Sequence, residues 1–428
     1  MADITAREPH QAINIQQREN EDALPEGMHP LDSPGAKEHL KKLKQWWHEA
    51  RTAQSDNRAE MAKDADFYDG LQWEDEDIVE LAKRGQAPLV FNRTKQFIDW
   101  ILGTERRTRI ESRVYPRGNA DHEAAESKTK LIKYLNDVNK GRIARSRAFA
   151  DSVKVGVGWL EDGIRSDPTD ELLFSRYESW RNMWYDPLGL ELDTSDWRYL
   201  FRAKWLDLDV GINMFPDREQ AIRSAAVSHN MFVDEEMDEL SFQSSFHFLT
   251  GQNTITRSGS AAFDDAFHVG ERRQRVQFVE CWYRVPTRVK VLRTTADAAL
   301  PPEHLDSVMG LNGVDRDDQD PFQNLLVERG YASVFDAIKM KVWVAIFVRN
   351  ALLQNMASPY THNRFPFTPV WGYRRDRDNA PYGQIRNMRS PQEDLNKRRA
   401  KALWILSTNS IIADENAFED WDEVAEEI

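Results

Sequence analysis

The chain has 428 residues, with 57 Lys and Arg against 71 Asp and Glu, a net charge of -14 and a pI near 5.3. This length holds two or three domains and a large core. The acidic balance argues against a conventional duplex-DNA binder, which carries a basic face, but not against a protein that surrounds DNA without gripping it.

A mean hydropathy of -0.68, with no apolar run near the roughly 20 residues of a membrane span, argues for a soluble chain. The opening MADITAREPH has no apolar core and does not read as a secretory signal. The one cysteine, Cys281, excludes an internal disulfide and a cysteine-based zinc site. It reads as a small buried apolar residue in a reducing compartment. Fourteen tryptophans suit extended packing surfaces between domains or subunits.

Residues 1–33 are polar, punctuated by proline and without period, which predicts a mobile arm. A helix is predicted from Pro34 to Tyr68, ended by Gly70, with Leu40, Leu43, Trp47 and Ala50 on one face and Lys41, Lys42 and Lys44 opposite. We read it as a docking helix rather than a basic patch for nucleic acid. Gln72 to Val90 is acidic, then apolar. Asn92 is the predicted cap of a helix whose apolar face is Phe97, Ile98, Ile101 and Leu102, with Gly103 closing the run. Ile110, Ser112 and Val114 alternate with charged residues and predict a strand. The arginines around it (Arg106, Arg107, Arg109, Arg113, Arg117) suit phosphate or a neighbouring chain's acids, and the acidic background favours the second.

Helices follow over Asp121–Asn139 and Arg142–Val155, and Gly156-Val157-Gly158 turns into a strand rather than forming a dinucleotide fingerprint. Arg176 to Arg202 reads as strands and turns. Within it Asp193, Asp196 and Asp186 are weak candidates for a divalent-cation cluster, and Asp-x-Ser-Asp is equally an ordinary Asx-turn. A helix is predicted from Phe215 to about Ser228, with helical or irregular chain to Phe248, then a flexible excursion over 249–270.

The clearest β signal is Gln274–Thr294, where Val276, Phe278 and Trp282, then Val289 and Val291, alternate with polar residues. Residues 296–335 read as an acidic loop. A strand pair over Lys339–Leu353 turns at Arg349-Asn350. From Trp371 to Lys401 there are nine Arg or Lys against four Asp or Glu. This stretch holds a helix predicted to start at Ser390 as N-cap, with Pro391 in its first position and Glu393 three residues after the cap. It carries Lys397, Arg398, Arg399 and Lys401. Residues 413–428 hold eight Asp or Glu and no Lys or Arg, and stop without a terminating signal, so the chain is expected to belong to a longer polypeptide.

The chain has no P-loop, no His-Glu-x-x-His and no Gly-x-Ser-x-Gly. No catalytic residue and no cofactor are expected.

Five stretches, in order, carry a resemblance: QFIDWILGTERRTRIESRVYPRG at Gln96–Gly118, AFADSVKVGVGWLE at Ala148–Glu161, WYDPLGLELDTSDWRYLFRAKW at Trp184–Trp205, VQFVECWYR at Val276–Arg284, and PYGQIRNMRSPQEDLNKRRAKAL at Pro381–Leu403. Together they resemble the portal (connector) proteins of tailed bacteriophages, in the podovirus P22-like branch.

The resemblance implies an α+β portal-type subunit and a ring of about twelve subunits at one capsid vertex. The expected divisions are a flexible N-terminal arm (1–33), the first part of a wing (34–213), a stem-like helix and linker (214–273), a β-rich clip region (274–370), a second stem-like helix (371–412), and the start of an acidic segment (413–428). It further implies a non-enzymatic channel for DNA packaging and ejection in the virion, assembled in the host cytoplasm. Implied partners are the terminase large subunit, tail adaptor and head completion proteins, capsid and scaffolding proteins, and passing double-stranded DNA, with no membrane. Lys397, Arg398, Arg399 and Lys401 would face the channel or pair with acids of the next subunit. The alternatives are another capsid-associated structural protein, or a metal-dependent DNA-processing enzyme using Asp186, Asp193 and Asp196.

Overall fold

The computed structural model describes residues 29–108, 112–116, 121–165, 171–228, 274–294, 313, 315–316 and 320–407. Its spine is α1 (Pro34–Asp69), 36 residues and about 54 Å long at 1.5 Å per residue. Ser33 caps it by accepting from Ala36 N, Pro34 fills its first position, and Gly70, at φ 100°, takes the left-handed conformation that ends it. Its buried stripe crosses three cores in succession. Leu40, Leu43, Trp47 and Ala50 pack on Trp184, Phe201 and Cys281. Met61 and Ala62 meet Trp159, Trp180 and Trp282. Phe67 joins Ile98, Leu102 and Ile385.

The helices that follow are α2 (Asp75–Lys83), α3 (Arg93–Arg107), α4 (His122–Val138) and α5 (Gly141–Lys154). Asn92 caps α3 by accepting from Lys95 N. The strand predicted at 110–114 is not formed over Ser112–Pro116, and Ile110 lies outside the described residues. Val114 N there donates to Thr129 Oγ1 of α4 at 3.0 Å, so a helix side chain takes the place of a partner strand. α2 was not anticipated. Its acidic first turn, Asp75, Glu76 and Asp77, suits the positive end of a helix.

Two antiparallel sheets and one two-stranded ribbon form the β part of the described residues. One has the order β2-β1-β9, from β1 (Val157–Ile164), β2 (Leu173–Glu178) and β9 (Phe367–Trp371). The larger has the order β3-β4-β6-β7-β8, from β3 (Met183–Tyr185), β4 (Tyr199–Asp207), β6 (Gln274–Thr294), β7 (Ala332–Val348) and β8 (Ala351–Ala357). The small β5 (Val227–Ser228) pairs with the start of β6. The larger sheet therefore crosses the expected boundaries, taking β3 and β4 from 34–213 and the rest from 274–370. Gly158 of β1 lies so close to α5 that a Cβ there would meet Ala148 O at 1.9 Å. This fixes α5 on one face of the smaller sheet.

β6 is supported by β4 as far as Tyr283, while β7 accompanies it from Val279 to Thr294. Beyond Tyr283 the hairpin leaves the sheet as a two-stranded ribbon. Arg284 N donates to Arg198 O at 2.9 Å on the β4 side. By the alternation of an antiparallel ladder, Pro286 has its nitrogen on that same outer side, where no ladder bond is lost. The turn at Arg349-Asn350 stands as predicted, with Arg349 at φ 30°.

Two expected stretches differ. In place of one helix over 215–228 there are α6 (Leu208–Met214), a 3-10 turn at Pro216–Arg218 and α7 (Glu219–Ala225). Phe215 stands at φ -137°, ψ 71° ahead of Pro216, outside the α region that a following proline ring disfavours. The acidic loop expected over 296–335 contains α8 (Pro321–Glu328), capped by Asp320, and β7 already begins at Ala332. The arm through residue 28, the chain from 229 to 273 with its expected helix and excursion, and the acidic 413–428 lie outside the described residues.

The two sheets are joined by a buried charge network. Arg202 of β4 is 1 % exposed. It bonds Glu161 of β1 at 2.7 Å, Glu178 of β2 at 3.4 Å and Glu280 of β6 at 2.9 Å. Arg176 and Lys204 add charge on Glu161 and Glu178. Burial pushes both carboxyls up, but the surrounding cations hold them below their ordinary range. Arg202→Met is expected to lower stability by at least about 3–5 kcal/mol in urea unfolding, because it leaves buried carboxylates without their partner; a loss below about 1 kcal/mol would refute the bridging role.

Candidate functional site

The basic helix is α9 (Gln384–Ser407), entered from the short ribbon of β10 (Tyr373–Arg374) and β11 (Pro381–Tyr382). It begins six residues before the predicted cap, and Pro391 lies inside it. The ring is tolerated there because Pro391 and Asn387, whose carbonyl loses its helical donor, are both exposed to water.

The extra turn is held by tertiary bonds. Ile385 is buried against Phe67, Ile98 and Leu102. Arg386 Nε donates to Asp64 Oδ2 of α1 at 3.0 Å, and its Nη1 to Asn57 Oδ1 at 2.8 Å. Arg389 bonds Glu60 and reaches Asp64 Oδ1 at 3.3 Å. Further along the same face, Gln392 Oε1 accepts from Arg93 N at 3.1 Å and its Nε2 donates to Phe91 O at 2.8 Å. Asn396 Oδ1 accepts from Phe91 N at 3.0 Å and its Nδ2 donates to Gln72 Oε1 at 2.7 Å. Spacings of three and four put these groups on one stripe. The sequence reading missed them, because their partners lie some 300 residues away and leave no local signal.

The four expected basic residues are exposed on the remaining surface. Lys397 Nζ is 3.6 Å from Asp77 Oδ2 of α2. Arg398 pairs with Asp394 one turn back at 2.9 Å, and the Arg399 guanidinium sits 5.9 Å from the Phe91 ring centroid. Lys397 and Lys401 share a face at a spacing of four. Exposed pairs of this kind contribute little stability, so the helix stays a cationic surface. In α1, by contrast, Lys44 Nζ donates to Asn350 Oδ1 at 2.5 Å and Lys42 lies 5.1 Å from the Trp46 ring centroid, as suits a helix docked on the sheet.

The candidate metal carboxylates serve backbone amides instead. Asp186 accepts from Leu188 N at 2.9 Å and Arg198 N at 2.8 Å. Asp196 accepts from Leu190 N at 2.6 Å and Glu191 N at 3.1 Å. Asp193 accepts from Ser195 N at 3.0 Å, the Asx-turn. Among the described residues no group of three or more His, Cys, Asp or Glu is placed to hold a metal. Cys281 is buried in the core, and burial raises its thiol well above the ordinary value.

Comparison with family models matches residues 44–428 to the phage P22-like portal protein. The chain belongs to the P22-like phage portal protein family. The α+β architecture agrees with it, and no individual curated protein matches the chain. A portal is a structural ring component of the phage capsid vertex rather than an enzyme. Among the described residues no helix is long and apolar enough to cross a membrane. In this portal subunit the helix anchor is Asp64, which burial pushes up from 3.8 to about 6 against the pull of Arg386 and Arg389.

Between 3.8 and about 6 the folded chain holds the Asp64 proton and the unfolded chain does not. The contribution of Asp64 to stability therefore falls as pH rises through that window and is level above it. The stability advantage of the native protein over Asp64→Asn, from urea midpoints, is expected to shrink between about pH 4 and pH 6 and then hold constant; an advantage that grows with pH would contradict the assignment.

Proposed function

We propose that this portal subunit closes into a ring of about twelve copies through which double-stranded DNA enters the capsid during packaging and leaves at infection. The ring docks the terminase large subunit first and tail adaptor and head completion proteins later, and is assembled in the host cytoplasm together with capsid and scaffolding proteins. The observation that carries this reading is the family match over 44–428. The charge pattern supports it: each phosphate neutralised adds salt-sensitive affinity, so a sliding channel needs an acidic subunit with confined basic rings.

In this reading residues 34–213 form the first part of the wing, and α9 is a stem helix. A first stem segment falls within 214–273, and 274–370 is the clip region, its projecting part the free half of the β6–β7 ribbon. Lys397, Arg398, Arg399 and Lys401 form a basic ring toward the channel or meet acids of the next subunit.

Electron-microscopy images and light-scattering mass of the purified protein are expected to give rings of about twelve subunits with a central hole. A monomer or dimer at every salt concentration would overturn the ring. Changing Lys397, Arg398 and Arg399 together to Ala is expected to impair packaging or ring assembly more than the same change at Lys41, Lys42 and Lys44. Loss of packaging with rings intact assigns the three to the channel, loss of rings assigns them to the subunit interface, and equal loss at both sites removes any special role.

A further inference from the structure

The loop between β3 and β4, residues 186–196, presents Leu188, Leu190 and Leu192 to solvent at 77 %, 66 % and 58 % exposure. The loop is nonetheless held throughout. Besides the carboxylate bonds of Asp186, Asp193 and Asp196, Arg374 Nη1 donates to Leu190 O at 3.1 Å and Trp371 Nε1 to Leu192 O at 3.0 Å. Arg284 Nη1 bonds the carbonyl of Ser195 and, at 2.9 Å, that of Trp197. Three leucines exposed on a pinned loop are an apolar knob that pays little ordering entropy on binding.

A matching hollow lies elsewhere on the subunit. A groove of about 390 Å³ opens beside α4 and the far end of β1, lined by Ile132, Leu135, Ile164, Leu173, Phe174 and Tyr360 among others. Ile132, Ile164 and Leu173 each remain about two-fifths exposed. The two features lie at opposite ends of β1: Trp371, which holds the loop, pairs with Val157 at its start, and Ile164, paired with Leu173, lines the groove at its finish, about 23 Å on at 3.3 Å per residue. Trp371 packs with Trp159 and Trp197 at the loop's end, while Phe174 and Tyr360 close on Gly163 at the groove's end. Their charges are opposite as well. Residues 122–154, the α4–α5 hairpin beside the groove, hold eight Lys or Arg against four Asp or Glu, while 186–196 hold four Asp or Glu and no Lys or Arg.

A knob and a hollow of opposite charge set this far apart do not meet within one chain, and a head-to-tail ring brings different surfaces of successive copies together. We infer that the leucine loop of one subunit seats in the α4–β1 groove of the next. This rests on the ring reading above and names the surface that closes it.

The test uses the whole protein with cysteines placed in pairs, Leu190→Cys with Ile132→Cys and Leu188→Cys with Leu173→Cys. The native Cys281 is buried and stays silent. After mild oxidation of assembled protein, a non-reducing gel is expected to show a ladder of linked subunits for at least one pair and none for the single variants. Leu190→Asp is expected to raise the concentration for half-assembly about tenfold, the effect of exposing one buried leucine, with an unchanged melting temperature. Rings by microscopy without a ladder from either pair, or with assembly of Leu190→Asp unchanged, overturn this interface and leave the ring reading standing. No ring from the native protein overturns both.

Discussion

Arg202 is the constraint on which the rest of the subunit depends. It stands on β4 in the larger sheet and reaches carboxylates on β1 and β2 in the smaller one, so it fixes the relative placement of two layers that share no strand. Hydrophobic contact alone would let such layers slide, because apolar burial is non-directional. A buried cation among carboxylates tolerates only a narrow set of positions. The tryptophan cluster of Trp159, Trp197 and Trp371 fills space at the same junction, so these three side chains form an inter-layer seam.

From that junction the functional surfaces follow in order. α1 runs across the cores and ends where Asp64, Phe67 and Gln72 receive α9. Burying the polar stripe of α9 leaves its lysines and arginines on the opposite side by the period of the helix. The basic surface is therefore a consequence of which face is anchored. The 186–196 loop is ordered by the same logic, since its carboxylates take up backbone amides that a loop otherwise leaves to water.

What could be read beforehand was what is encoded locally. Ser33, Pro34 and Gly70 frame α1, Asn92 caps α3, alternation marks β6, and Arg349-Asn350 marks the turn from β7 to β8. What could not be read was what distant chain decides. Pro391 has the local signature of a helix start, yet Ile385, Arg386 and Arg389 gain enough from α1 and α3 to extend the helix six residues back. The alternation expected to make a strand meets a helix instead, where Val114 N donates to Thr129 of α4. Asp320-Pro321 was a legible start for α8 that the acidity of its surroundings concealed. At the basic helix the exposed residues were legible, and their buried counterparts, Asp64, Gln392 and Asn396, were not. The carboxylates of the leucine loop carry the same composition as a metal site, and only their distances to amide nitrogens distinguish the two.

The ribbon that leaves the sheet beyond Tyr283 has a further consequence. Among the described residues β4 does not continue beside β6 past Tyr283, and a strand rim without a partner invites another chain to add to it. Identical ribbons brought together at high local density would face that hazard most. Gly313 and Arg316 cover the distal stretch, where Arg316 N bonds Lys290 O and Gly313 N bonds Leu292 O. Nearer the sheet Pro286 withholds its donor and Arg288 places a charge, and both disfavour strand addition. The same proline that costs the hairpin nothing internally denies a second strand one of the donors that pairing along this rim would need, so the ribbon discourages sheet growth without weakening itself.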